Sequence, residues 1–581
     1  MSTECVMICA IDLGTSYSGY AFAPRQNLTN NGCDIYSSHW ESDLLSHKTP
    51  TAILLDPIMN FQVFGHEANT KFAKLAEDEK DADWFYFKDF KMDLYDKDLT
   101  ESSMIQDIHG KYASALKIFA ESLKFLRGHF LDMLQGRNMG VMEEFIFYVV
   151  TVPAIWSDAA KQFMREAAVM AGMCRQRLAL ALEPEAAALY CKRLTPDRTV
   201  QREEPPEFVV DQPYVVIDLG GGTSDITVQK VSAAGKFQNL YKASGGPWGG
   251  NKVNKCFLEL FVKLFGDSIF HEFCKNNMDD FFDLLQIIEI KKRLISEDRN
   301  ETISLDIPNS LMDLYAKSLE TAIKNAELDE TIKARKRNKI NVSCSYFQDH
   351  FKEICDKTIN LVKTIIKENV QCQQIKTLIM VGGFSESKMV QSIFRESFPG
   401  YDVKIPLDAG LAVLKGAVIF GYDSSVIQTR MCPYTYGIAV LKKFNPHVHD
   451  VSKSFLEDGQ WRSDDCFEKF FEVDEPLAIG TKRSISVNIS HVGEDRQKDR
   501  REHKEIEVFS SSLHSPLYTT DPTCRSHGLI SVYPPGGEWP VYVRGRVEIE
   551  VTGTDCFSIS YIDEITQQTT SGTIDFLKKT T

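Results

Sequence analysis

The chain has 581 residues, 43% of them hydrophobic and 25% charged, with a net charge of −15. Those values describe a folded protein of two to four domains and argue against bulk binding to nucleic acid or an anionic membrane surface. No apolar stretch approaches the ~20 residues of a membrane span, and fourteen cysteines without a C-x-x-C pair read as free thiols in a reducing compartment.

The N-terminus runs directly into a predicted strand, Val6 to Ile11, with no secretory pattern. Four glycosylation-type sites, at Asn27, Asn300, Asn341 and Asn488, are therefore read as chance. The strand leads into Asp12-Leu13-Gly14-Thr15-Ser16, and alternating Gly19-Tyr20-Ala21-Phe22 follows. This is strand, tight glycine turn, strand. After a proline- and charge-rich loop at 196–213, nearly the same hairpin returns as Ile217-Asp218-Leu219-Gly220-Gly221-Gly222-Thr223-Ser224, followed by Asp225-Ile226-Thr227-Val228. Glycines let backbone N–H groups approach an anion, and the hydroxyls of Thr15, Ser16, Thr223 and Ser224 add donors. Each copy carries an aspartate at a strand end, where a carboxylate can order a hydrated Mg²⁺. Two such loops can clamp one polyphosphate between them.

A third glycine cluster, Gly245 to Gly250, precedes a helix predicted from about Lys252. Further on, Glu289, Lys292, Arg293 and Ser296 fall at offsets of 0, 3, 4 and 7, which places all four on one face of a predicted helix. Ile288, Ile290, Leu294 and Ile295 form the apolar side. Taken alone, the polar face reads as solvated ion pairs. Beside the glycine loops it reads as a nucleoside clasp. The basic run from Lys333 to Lys339 reads as a solvated loop, with a nuclear-import signal as the alternative. Val381-Gly382-Gly383-Phe384-Ser385 follows an apolar strand and opens a helix, a setting that suits a phosphate or a base edge.

Strands and helices alternate to about residue 420, the mark of an α/β body. From about 436 the runs alternate at period two, as in Val547, Ile549 and Val551, and predict an antiparallel β domain. The expected division is 1–420, a linker at 421–435, and a β-rich domain at 436–577. The charged stretch Glu494 to Lys504 is expected to be a solvated turn.

Several stretches carry a resemblance. They are Ile11 to Ser18, Val149 to Ala154, Glu183-Pro184-Glu185-Ala186-Ala187-Ala188, Val216 to Asp225, Glu289 to Ser296, and Val381-Gly382-Gly383. In order and spacing, the chain resembles the 70-kDa heat-shock-protein family of the actin-like ATPase superfamily, most nearly its divergent heat shock 70 kDa protein 12 branch. The resemblance implies a two-lobed α/β ATPase domain followed by a smaller β-sandwich-like domain. It implies ATP/ADP and Mg²⁺ as ligands, polypeptide clients or specific protein partners, co-chaperones, a role in stress response and a cytoplasmic location.

The same resemblance assigns roles. Asp12 and Asp218 would hold the Mg²⁺ water shell. Gly14, Thr15, Ser16 and Tyr17 would bind phosphates from one lobe, and Gly220, Gly221, Gly222 and Thr223 from the other. Glu183 and Asp225 would position water. Gly250 would line the ribose–phosphate side, and Glu289, Lys292, Arg293, Ser296, Gly382 and Gly383 would cradle adenosine. Phe384 stands near the place of an adenine-packing arginine and could stack on the base. Pro153 and Lys161 match an interlobe relay. The catalytic lysine would be Lys91, which fits the family pattern better than the alternative, Lys88; both lie near an aromatic strand. Asp408 is given a weak role only. The segment 308–342 reads as an insertion, and Val426 to Arg430 replaces the family's leucine-rich linker. No helical lid is expected after the β domain. The implied function is an ATP-binding, slowly hydrolysing chaperone-like protein whose nucleotide state controls polypeptide binding. A nucleotide-dependent scaffold with weak or no ATPase activity is the alternative, and a small-molecule kinase of the same superfamily is disfavoured by the β-rich C-terminus.

Overall fold

In the computed structural model, residues 5–28, 34–40, 46–194, 206–298, 301–328, 330–457, 459–490, 499–534, 537–554 and 557–577 are described. Most of the 196–213 loop, the first half of Glu494 to Lys504, and Asn300 lie outside them.

Two sheets built on one plan form the α/β body. In the first, the central strand Met7–Asp12 pairs antiparallel with Tyr17–Pro24 and parallel with Ile146–Val152, and Leu178–Leu182 lies beyond. In the second, Pro213–Leu219 pairs antiparallel with Ser224–Val231 and parallel with Thr377–Val381. The sequence repeat is thus a structural repeat: Asp12 is the last residue of one central strand and Asp218 the last but one of its equivalent. The central strands are buried throughout, as near-continuous apolar runs predict for strands covered on both faces.

Two helices cross between the sheets. Glu183–Arg193 follows the first sheet but packs against Pro213–Leu219 of the second, and Ala412–Tyr422 follows the second but packs against Met7–Asp12 and Ile146–Val152 of the first. Their shared core includes Ile8, Val149, Ala187, Val216, Val381 and Val418. The crossing is so close that a Cβ on Gly416 would overlap the Ala186 carbonyl oxygen.

The basic run 333–339 is not a loop. It forms the strand Ile332–Lys336 and the start of Lys339–Ser343, which with Thr302–Asp306 make a three-stranded sheet. Arg337 and Lys339 pair with Asp313 and Asp306. Residues of the expected insertion, among them Leu311, Ile323, Ile332 and Ile340, belong to the main core of the second lobe.

The C-terminal region holds a five-stranded and a four-stranded sheet, each antiparallel. Tyr436, Ile438, Phe471, Val547, Ile549 and Ile559 fill one core between them. The expected linker is more than a connector. Ile427–Met431 forms a strand that pairs parallel with Phe237–Gly246, and Pro476–Leu477 adds outside it, giving a seven-stranded sheet. Arg430 from this strand makes a bidentate ion pair with the buried Glu185, at 2.8 and 3.0 Å, and Asn239 donates to the same carboxylate.

A second contact seats the β region on the helix Asp158–Met170. Tyr436 donates its hydroxyl to Asp158, Gln162 donates to Asp575 at 2.8 Å, and the Phe576 amide donates to Gln162 at 2.6 Å. Leu577 is buried in the core of the first lobe.

Candidate functional site

The two glycine turns face each other. The Gly220 amide closes its turn on the Thr223 carbonyl at 3.0 Å, and the Gly249, Gly250 and Asn251 amides bond the carbonyls of Gly222, Gly220 and Gly221. The third glycine cluster therefore backs the second turn directly. Its helix, Asn251–Phe265, begins one residue before the predicted start near Lys252. Across the cleft, a Cβ on Gly221 would strike Ser16, and one on Gly222 would strike Thr15 and Met92. Glycine is needed here because the opposing loops leave no room for a side chain. Ser16 donates to Asn251 at 2.8 Å, and Asn251 donates to Asp89 at 3.2 Å, tying the two halves together.

Below the turns lie four buried carboxylates, Asp12, Glu183, Asp218 and Asp225, with two ammonium groups, Lys48 and Lys91. Lys91 is 4% exposed at its side chain and meets Glu183 at 2.7 Å. Its ammonium also sits 5.5 Å from the centre of the Trp156 ring. Lys88 points elsewhere, over the Phe281 ring at 5.5 Å. Burial opposes the charge on Lys91, but Glu183 and Asp12 outweigh it and raise its proton affinity. Burial pushes Glu183 up to about 7, against the pull of Lys91 and with the push of Asp12 and Asp225. Asp218 and Asp225 are raised as well, chiefly by burial. Asp225 accepts from the Ile155 amide at 3.0 Å, directly after Pro153 and Ala154. Asp12 behaves oppositely: burial works against ionisation, yet Lys48, Lys91 and the Thr151 hydroxyl hold its carboxyl below the usual range.

The cluster fits a divalent ion held through water. Four carboxylates against two ammonium groups leave an excess of two negative charges when all are ionised. Among the described residues, Asp218 has no hydrogen-bond or ion-pair partner, although it is buried; such a group calls for a compensating charge. No three His, Cys, Asp or Glu side chains among those residues converge as direct ligands of one ion. Gly382, at φ +85°, is required beside Asp218, whose Oδ1 a Cβ there would strike. Gly383 faces open space.

The predicted nucleoside clasp is brought together in part. Glu289 bonds Lys292 at 2.8 Å and accepts from Asn254 at 3.2 Å, and Arg293 approaches it to 3.8 Å with a largely exposed side chain. Lys292 screens Glu289 and lowers its pKa despite burial, whereas burial lowers that of Lys292. Tyr17 of the first lobe lies close enough to feel Glu289, and burial beside that carboxylate pushes its phenol up to about 12. The single helical face does not extend to Ser296. The helix Met278–Lys292 ends first, and the Ser296 hydroxyl accepts from the Asp298 amide in the following turn. Ile290 and Leu294, expected on the apolar side, are exposed, while Ile288 and Ile295 are buried.

Phe384 is 6% exposed, stacks on Phe351 at 5.9 Å, and packs against Gly250. Its ring supports the glycine wall from the core side. A short 3-10 turn, Gly383–Glu386, separates the glycine pair from the helix Lys388–Ser397. Asp408 is committed to Tyr190 and Lys415. Lys161 pairs with Asp158 at 3.3 Å, next to the contact with Tyr436.

Lys48, Thr151, Trp156, Asn251 and Asn254 went unforeseen. Thr151 stands within the Val149 to Ala154 stretch, and its small polar side chain among valines was the available signal. Lys48 carried none.

Comparison with known proteins gives the family. The model of the Hsp70 protein family matches residues 89–442. Human heat shock 70 kDa protein 12B is 31% identical over 98% of this chain and 91% of its own length, and human heat shock 70 kDa protein 12A is 30% identical over 98% and 92%. Chaperone protein dnaK1 of Synechocystis is 24% identical over 50% of this chain and 38% of its own. A doubled hairpin around a lysine–carboxylate cluster, joined to a match along nearly the whole chain, makes this protein a member of the Hsp70 family of ATP-binding, chaperone-type proteins.

Proposed function

We propose that the cleft binds ATP and Mg²⁺, that bound ATP is hydrolysed slowly, and that the nucleotide state sets the affinity of the β region for a polypeptide. The observation that carries the reading is the buried Lys91–Glu183 pair among Asp12, Asp218 and Asp225, beneath two facing glycine turns. Gly14, Thr15, Ser16, Tyr17, Gly220, Gly221, Gly222 and Thr223 present N–H and hydroxyl donors to the phosphates. Asp218, with Asp12, orders the water shell of Mg²⁺, which when bound neutralises charge on the transferring phosphate. Lys91 adds a positive charge beside it. Glu183, titrating at about 7, can take a proton from water near neutral pH. Gly250, Glu289, Lys292, Arg293, Gly382 and Gly383 line the nucleoside side, with Ser296 and Phe384 supporting it from their own turn and core. The division at 1–420, 421–435 and 436–577, a cytoplasmic location, and co-chaperone partners belong to the same proposal.

The nucleotide-dependent scaffold is a second reading, favoured by the Lys48 ammonium on Asp12, where an aspartate free for the metal shell would suit hydrolysis better. Single-turnover hydrolysis tests the site: loss of the γ-phosphate in the wild type, abolished in Asp218→Asn and Thr223→Val, supports it, and hydrolysis that survives both refutes it. Peptide affinity in ATP and in ADP separates the readings. A ligand shifts a conformational equilibrium only by its differential affinity, so equal peptide affinities would leave the scaffold alone.

A further inference from the structure

Asp12 and Asp218 lie at the same end of equivalent strands, yet their carboxylates have unequal surroundings. Asp12 Oδ2 accepts from Lys48 Nζ at 2.7 Å, and Oδ1 accepts from the Thr151 hydroxyl at 2.9 Å. Asp218 has no such partner among the described residues. The Lys48 side chain is 21% exposed, against 8% for that of Asp12, so it keeps contact with solvent. One of its three N–H donors is spent on Asp12, and the others remain for a further acceptor.

The chain builds this placement deliberately. Asp12 pairs with Gly19 across the hairpin. A Cβ on Gly19 would lie 2.8 Å from the His47 carbonyl oxygen and 3.2 Å from Lys48 Cγ, so a residue without a side chain opposite Asp12 leaves the space that the lysine stem occupies. The segment is pinned on both sides. Ser38 donates to the His47 carbonyl at 2.8 Å, the Lys48 amide donates to Ser46 at 3.2 Å, and Ser46 donates back to the Lys48 carbonyl at 2.7 Å. Directly afterwards, Thr49–Pro50 pairs with Tyr17–Pro24, and the Thr51 amide bonds the Ser16 carbonyl at 2.8 Å. Lys48 is therefore held by the same backbone that forms the first phosphate turn.

An ammonium on Asp12 does two things. It occupies an acceptor that would otherwise receive a hydrogen bond from a metal's water shell, and it repels a divalent ion at close range. It also offers a fixed positive charge to an anion in the cleft. We propose that Lys48 is a built-in cation of the phosphate site, so that a nucleoside di- or triphosphate is held with reduced dependence on Mg²⁺ and the metal is left chiefly to Asp218. This inference rests on the nucleotide-binding reading of the cleft.

Calorimetric titration of the full chain with ADP, with Mg²⁺ and then with EDTA, tests it. In the wild type, removing the metal lowers affinity by less than about tenfold, because the Lys48 ammonium stays in place. In Lys48→Met, affinity in EDTA falls by more than about tenfold and the metal's contribution grows, whereas Lys48→Arg keeps the wild-type pattern. Thermal unfolding without ligand shows whether each variant folds. ADP binding by the wild type that vanishes in EDTA overturns the inference without any variant, and leaves the nucleotide reading standing. An equal loss for Lys48→Met in both conditions also overturns it. No ADP binding by the wild type in either condition overturns the nucleotide reading and this inference with it.

Discussion

Arg430→Met should loosen the strand that joins the two regions. Arg430 reaches Glu185 through three hydrogen bonds of 2.8–3.0 Å, and the Glu185 side chain is 1% exposed against 16% for Arg430. Removing one partner of a buried pair costs ~3–5 kcal/mol, because the other charge stays buried and uncompensated. Asn239 keeps one bond to Glu185 and the arginine side admits some water, so the expected cost is the lower end, about 3 kcal/mol. That is a roughly hundredfold rise in local opening of Ile427–Met431. Amide hydrogen exchange along that strand reads the opening directly, which avoids treating a multidomain protein as two-state. Glu185→Gln alone should cost about 1 kcal/mol, since Arg430 retains solvent contact. The double variant should lie near Glu185→Gln, giving a coupling of about 3 kcal/mol. A cost below about 1 kcal/mol for Arg430→Met, or strict additivity in the double variant, would refute the reasoning.

Gly416→Ala places a methyl group against the Ala186 carbonyl, where backbone cannot give way; we expect a loss of about 3 kcal/mol, read as a lowered unfolding midpoint, and an unchanged midpoint would deny the close crossing. Asn251→Ala removes the bonds to Ser16 and Asp89. At about 1 kcal/mol each, nucleotide should leave about tenfold faster or more, and a stopped-flow rate equal to wild type would count against the bridge. Without nucleotide or metal, folded Glu183 keeps its proton to about 7, whereas its ordinary value is 4.5. Stability from this group is complete below pH 4.5, declines as pH rises to 7, and is flat above, by about 3 kcal/mol at most. Asp218 and Asp225 act in the same direction, while the Asp12 contribution is lost only at lower pH. Thermal midpoints across that window should fall with pH in the wild type and less steeply in Glu183→Gln; identical slopes would place the titration elsewhere.

The hairpins were legible because strand, aspartate and glycine are neighbours in sequence, and local backbone geometry needs nothing more. Glu183 was legible by resemblance, and Glu289 by its helical spacing to Lys292 and Arg293. Lys48 was not, since its meaning lies in the space left by Gly19 and in a carboxylate 36 positions earlier. The helical period carried Ser296 too far because no glycine or proline marks the end at Lys292. The basic run was read as a loop because its charges hide a period-two pattern in which Ile332, Ile340 and Val342 are buried. Ile427–Met431 is a strand only because Phe237–Gly246 offers an edge to it, a partner that no local pattern announces.

That seven-stranded sheet carries a liability. With Ile427–Met431 and Pro476–Leu477 in place, the edge of Phe237–Gly246 is covered. Should the β region swing away and take its strands along, that edge is bared, with unpaired N–H and C=O groups beside the buried Phe237 and the partly buried Leu240 and Tyr241. An uncovered edge is a template for another chain. A detached state would thus also be a sticky state, open to capture whenever copies or extended peptides are crowded around it.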